Sequence, residues 1–278
     1  MKKAILILFV TSISFFSFAQ EEVMTSSGRK VILNPDGTWN IPVSVPAFHV
    51  VAIPHLEIPK PRLNELILTH KGYTLSYDKT FKQAVWVAYE LTADETNAVV
   101  ERKDKFVPDP LLKSGSSSND DYKKSGYDRG HLAAAADMCY SLKTMQESFY
   151  LSNMSPQVPG FNRGIWSRLE DQVRQWAIDE KAVYIVTGGI LTNGLPTIGE
   201  NKVAVPQYFY KVILDYTEPD IKAIGFIIPN KSSQEPLQHY AVTIDSVEKV
   251  TNIDFFYQLP DDQEKVIESK IDINKWYW

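Results

Sequence analysis

Cysteine is nearly absent from this chain. Cys139 is the only one in 278 residues, so no intramolecular disulfide can form and stability must come from a packed core. A lone cysteine and five scattered histidines also leave no set of ligands for structural zinc, and Cys139 reads as a small buried hydrophobe. Long apolar runs are missing beyond residue 19, which excludes a later membrane span, and no internal repeat is visible. A basic surplus is missing as well: the formal net charge is −5, and without Lys2 and Lys3 the balance is 27 basic to 34 acidic residues. That total argues against a uniformly polyanion-binding surface. Only residues 101–176, with 11 basic and 10 acidic side chains, lean positive, so an anionic ligand is permitted there without being demanded.

What is present starts with a leader. Lys2 and Lys3 precede AILILFV and a second apolar run ending at Ala19, with small residues at 17 and 19. This is the layout of a secretory signal peptide cut after Ala19, and the expected location is secreted or periplasmic. Residues 28–41 alternate apolar and polar around Asn34-Pro35-Asp36-Gly37, as a β-hairpin does, and Pro42, Pro46, Pro54, Pro59 and Pro61 then suit an extended linker. The expected division is 1–19 signal peptide, 20–62 hairpin and Pro-rich linker, and 63–278 one continuous domain. In that domain, residues 73–78, 84–91, 181–191, 208–216 and 222–229 are rich in β-branched and aromatic residues and read as strands. Residues 164–179 carry Ile165, Leu169, Val173 and Trp176 at helical spacing. The fold class is α+β with mostly antiparallel sheet.

Residues 125–137, SGYDRGHLAAAAD, crowd Asp128, Arg129 and His131 around Gly130 and then drop every polar group for five positions. Alone, the cluster is weak evidence, because Asp and Arg pair on many surfaces and a lone His is commonly structural. Two further blocks strengthen it. FYLSNMSPQ (149–157) brings Asn153, and the stretch 162–174 brings Asn162, Glu170 and Arg174. At ~100° per residue, eight positions return Asn162 and Glu170 to within roughly a quarter turn, on a face apart from Ile165, Leu169 and Val173. Together these groups suit phosphodiester hydrolysis. An imidazole with a reference pKa near ~6.5 takes a proton from water, a guanidinium fork fits phosphate oxygens, and a neutral amide beside a carboxylate suits magnesium, which keeps most of its waters. Gly130 is expected to turn the backbone so that its neighbours reach the site, and the alanines to pack beneath a polar cleft. The same residue types also allow Asn162 as a helix N-cap, and Glu170 with Arg174 as a surface i,i+4 pair.

In order and spacing, D-R-G-H (128–131), F-Y-L-S-N-M-S-P-Q (149–157) and N-R-G-I-W-S-R-L-E (162–170) resemble the DNA/RNA non-specific endonucleases of the ββα-metal type, over roughly residues 63–260. The resemblance implies hydrolysis of DNA and RNA with Mg2+ as cofactor and Mn2+ as a substitute. His131 would be the general base, Asn162 the one direct metal ligand, and Glu170 a ligand through water. Arg129 and Asn153 would support the scissile phosphate and the geometry of His131, while Arg174 and Arg102 would be further phosphate contacts. Asp128 would anchor the loop, Arg163 and Arg168 would be solvated charge, and Phe149 stands where some secreted members have an Asn. A catalytically silent nucleic-acid binder on the same scaffold is the competing expectation, and the presence of His131, Asn162 and Glu170 together speaks against it.

Overall fold

The computed structural model describes residues 50–102 and 104–278, and before them only the strand segments 21–24, 30–33 and 39–40. The leader expected over residues 1–19 lies outside the described residues. Chain contacts divide the protein into two units, residues 1–47 and 48–278. In the first, β1 (Glu21–Met24), β2 (Lys30–Leu33) and β3 (Trp39–Asn40) form a three-stranded antiparallel sheet. The expected hairpin is the β2–β3 pair, with Ile32 opposite Asn40 and Leu33 opposite Trp39.

The second unit is built on a seven-stranded sheet. Its members in chain order are β4 (Leu66–Thr69), β5 (Thr74–Asp78), β6 (Gln83–Thr92), β9 (Ala182–Gly189), β12 (Tyr208–Asp215), β13 (Lys222–Pro229) and β14 (Ala241–Val242). Their spatial order is β14-β13-β12-β9-β6-β5-β4, with every pairing antiparallel. Two small ribbons stand apart: β7 (Asp128–His131) with β8 (Met154–Gln157), and β10 (Thr197–Ile198) with β11 (Val203–Ala204). The helices are α1 (Asn119–Tyr122), α2 (Leu142–Ser148), α3 (Ser167–Glu180), α4 (Ile244–Thr251) and α5 (Asp261–Glu268).

The central strands read as near-continuous apolar runs because both faces of the sheet are covered. On one face, Phe209 and Ile213 of β12 pack with Leu169, Val173 and Trp176 of α3. On the other, Tyr210, Val212 and Leu214 pack with Ile244 and Val247 of α4 and Ile267 of α5. Each fully buried side chain of this size contributes about 1.5–3 kcal/mol relative to exposure. Leu56, within the Pro-rich stretch, is fully buried in the second cluster, and Lys60 donates its backbone N–H to Asp254 at 2.9 Å.

The order of strands places the site. Between the neighbours β6 and β9 the chain leaves the sheet for almost ninety residues, and that excursion contains the β7–β8 ribbon and α3. The ribbon and the helix are the ββα unit that the three sequence blocks encode.

Candidate active site

A cavity of about 650 Å³ opens between the β7–β8 ribbon and the start of α3. It is lined by Arg102, Asp104, Phe106, Asp128, Arg129, His131, Ala134, Ala135, Ala136, Asn162, Arg163, Ser167, Glu170 and Arg174. Of the candidate site residues His131, Arg129, Asn153, Asn162, Glu170, Arg102 and Arg174, all but Asn153 lie on this wall, as do Asp128 and Arg163, whereas Phe149 and Arg168 do not.

The D-R-G-H segment is a strand, not a turn, which corrects the role expected for Gly130. From this strand Asp128, Arg129 and His131 all line the cavity, and Gly130 does not. A Cβ at Gly130 would stand 2.0 Å from Gln157 Oε1 and 2.5 Å from its Cγ. The glycine therefore permits close approach of β8, whose fully buried Gln157 fills the space a side chain would take. The alanine run does form the wall beneath the polar groups: Ala133, Ala134 and Ala135 are buried, and Leu132 joins the main core.

His131 is only 8% exposed, and its Nε2 is buried without a hydrogen-bond partner in the protein. Its ring meets Phe149 edge-on at 4.8 Å and tilts against Phe106 at 5.8 Å. Burial, reinforced by the Arg102 charge, pushes the imidazole down to about 3, so at neutral pH it is uncharged and able to accept a proton. Phe149 thus supplies a wall to the imidazole rather than a polar group.

Asn153 acts from behind. It is fully buried, its Oδ1 accepts from Ala133 N at 2.9 Å, and its Nδ2 donates to Ala133 O and Ser148 O at 3.0 and 2.8 Å. Its carbonyl also accepts from Leu132 N. Direct support of a phosphate is therefore corrected to support of the backbone that follows His131, because the side-chain amide is already engaged with backbone.

Asn162 lies in a π-helical turn, Phe161–Trp166, that departs from helical geometry at Gly164 (φ −113°, ψ −108°) before α3 begins. The continuous helical register expected between Asn162 and Glu170 is thereby broken, and the kink brings both to the cavity instead. Asn162 is not an N-cap. Its Nδ2 donates to Asp128 Oδ2 at 2.9 Å, which leaves the amide oxygen Oδ1 as the atom it can offer a cation. Asp128 also accepts from Arg163 Nε and Nη2 at 2.8 and 2.7 Å, so Arg163 is a paired group and not merely solvated charge. Arg168 is likewise engaged, donating to Ser233 O and Glu235 O at 3.3 and 3.0 Å.

Besides Arg163, three arginines rim the cavity, and each is held differently. Arg129 donates to Asn119 Oδ1 at 2.9 Å with its guanidinium 4.3 Å above the Phe106 ring. Arg102 is exposed and bonds Asp104 at 2.7 Å. Arg174 is not paired with Glu170: it donates to the buried Asp137 at 2.7 Å and to Asp171. Asp137 in turn accepts from Tyr89 OH at 2.7 Å. Burial raises the Glu170 carboxyl above its ordinary value, and the charge of Lys211 opposes that rise. Lys211 is 1% exposed, 4.9 Å from the Trp166 ring centroid, and burial lowers its ammonium while Glu170 pulls it back. Sequence reasoning singled out neither Asp137 nor Lys211, although a lysine inside the apolar run YFYKVILDY was a visible signal.

Chemically, the cavity combines an uncharged imidazole nitrogen, an oriented amide oxygen, the carboxylates of Asp104, Asp128 and Glu170, and four guanidinium groups. The oxygen donors suit a hard divalent cation, and the single histidine rules out a zinc-type ligand set.

Comparison with known proteins agrees with this chemistry. The model of the DNA/RNA non-specific endonuclease family matches residues 57–262. Mitochondrial endonuclease G of Bos taurus is 36% identical over 202 residues, covering 66% of this chain and 67% of the bovine protein. Nuclease C1 of Cunninghamella echinulata var. echinulata is 38% identical over 224 residues, covering 73% of this chain and 88% of the fungal one. A nuclease of the bacterium Nostoc is 33% identical, with 74% and 78% covered. In a crystal structure of the EndoG/EndoGI complex, a chain 37% identical superposes with a TM-score of 0.66 over 70% of this chain and 86% of that one.

Proposed function

The chain belongs to the DNA/RNA non-specific endonuclease family and is a nucleic-acid hydrolase, and on that premise we propose that it is a magnesium-dependent, sugar-non-specific endonuclease with His131 as general base. The observation that carries this reading is the unpartnered, buried Nε2 of an uncharged His131 in a cavity rimmed by guanidinium groups. Nε2 takes the proton of an attacking water, while Arg129, tethered to Asn119, presents its fork to the phosphate. Arg102 and Arg174 supplement that charge at the rim. Asn162 through Oδ1, and Glu170 through water, would hold magnesium, and Manganese is the natural substitute with its similar preference for oxygen donors. When bound, the ion would neutralise charge developing on the phosphoryl and leaving oxygens. The groups assigned roles here address phosphate and metal, which supports action on both nucleic acids.

We place this activity in residues 63–278, onto which Leu56 and Lys60 of the preceding stretch pack, and export by residues 1–19 is part of the proposal. The mass of the protein recovered outside the producing cell tests cleavage after Ala19. For the activity, the purified mature chain is expected to cut supercoiled plasmid and RNA with magnesium and to stop with chelator. Strict rejection of RNA, or full cleavage in chelator, overturns the proposal.

A further inference from the structure

On the face of the sheet opposite α3, two helices bring carboxylates together with few opposing charges. Asp245 and Glu248 lie one turn apart on α4, and Glu268 closes α5; one oxygen of each lies within 4.8 Å of the others. Asp254 and Glu264 add to the negative field, and Lys60, a nearby cation, is bonded to Asp254 at 2.7 Å. Glu248 is anchored by accepting from Phe255 N at 2.8 Å.

The second observation concerns Glu268. It is only 5% exposed, and its Oε1 is buried with no hydrogen-bond partner in the protein. A buried carboxylate oxygen left unmatched costs at least about 1–3 kcal/mol, more when the group is charged.

We propose that Asp245, Glu248 and Glu268 form a calcium-binding site that staples α4 to α5. All the donors are oxygens, which selects a hard cation over zinc or copper. A Ca2+ shell with bonds of about 2.3–2.6 Å accommodates oxygens that lie within 4.8 Å of one another, and its loose geometry suits side chains brought from two helices better than the strict octahedron of Mg2+. The site lies behind the sheet, where Ile244, Val247 and Ile267 already join the second core, so its cation acts on stability and leaves the active-site cavity alone.

The test is thermal unfolding of the full chain with calcium, with magnesium and with chelator, for the parent, Asn162→Ala, Asp245→Asn and the double variant Glu248→Gln/Glu268→Gln. Millimolar calcium is expected to raise the Tm of the parent and of Asn162→Ala alike, by about 5 °C. The rise should shrink in Asp245→Asn and vanish in the double variant. Because the amides remove mutual repulsion, the double variant should itself fold and melt no lower than the parent in chelator. The proposal is overturned by the absence of a calcium shift in the parent, by its loss in Asn162→Ala, by its survival in the double variant, or by an equal shift with magnesium. Asp245→Asn, an exposed substitution, keeps the test valid should the double variant not fold.

Discussion

His131 shows how an ordinary residue takes its chemistry from what surrounds it. An exposed imidazole titrates near ~6.5, but the ring between Phe106 and Phe149 is held down at about 3 by burial and by Arg102. The unfolded chain binds that proton as pH falls below the reference value while the folded chain does not, so this histidine contributes stability above its unfolded pKa that is lost as pH drops toward the folded value. Its NMR ring resonances are accordingly expected to stay flat from about pH 8 to about pH 5; a titration midpoint near ~6.5 would contradict the buried setting. His131→Ala should lower turnover by about 10²–10⁴ while DNA affinity persists, read by cleavage and binding assays in parallel. Parallel loss of both would mark His131 as structural. Gly130 offers a sharper steric case. Gly130→Ala should destabilise by about 1–3 kcal/mol, and Gln157→Ala in the same chain should recover most of it, because the three atoms nearest the added methyl all belong to that side chain. Additive losses in the double variant would refute the contact.

Among the elements, the decisive link runs from the β7 strand to the π-helical turn. Asp128 ties both Asn162 and Arg163, fixing which end of the Asn162 amide faces the cavity. Groups that orient a metal ligand matter nearly as much as the ligand itself. Asp128→Ala is therefore expected to raise the magnesium concentration for half-maximal cleavage by about 10-fold or more, with Asn162→Ala more severe. A magnesium titration superimposable on the parent's would remove the orienting role. The long strands were legible because residues such as Val183, Ile185 and Val186 in β9, or Val212 and Ile213 in β12, cluster β-branched side chains. The β7–β8 ribbon was not. Its eight residues include charges, a glycine and a proline, all poor strand signals, and its pairing joins positions 23 to 29 residues apart. Helices α4 and α5 have eight residues each, too few for periodicity to stand out from noise.

For the whole molecule, the sign of the charge and the substrate have to be reconciled. The chain is acidic, yet four of its seven arginines gather at one cavity, so attraction for nucleic acid is expected to be local and to rest on few contacts. Duplex affinity in chelator should fall with salt at a shallow slope, and Arg129→Ala should flatten the log–log slope by about 0.9, the share of one phosphate. An unchanged slope would place Arg129 outside the phosphate contacts. No helix among the described residues is long and apolar enough to cross a membrane, while relatives include mitochondrial proteins and a bacterial nuclease.

By itself the sequence determined which chemical groups are present and in what order. Asp128, Arg129 and His131 adjoin because the chain joins them, and the three blocks around them identify the family. Tertiary structure alone decided which of those groups face the cavity. Asn153 turned inward to hold backbone at Ala133, and Arg174 was claimed by Asp137, 37 residues away. Phe149 at the end of α2 reached the His131 ring, and Lys211 from β12 came up beneath Glu170's helix. The physical reason is that desolvation, close contact and Coulomb terms depend on distance in space, and a folded chain sets those distances between residues far apart along it.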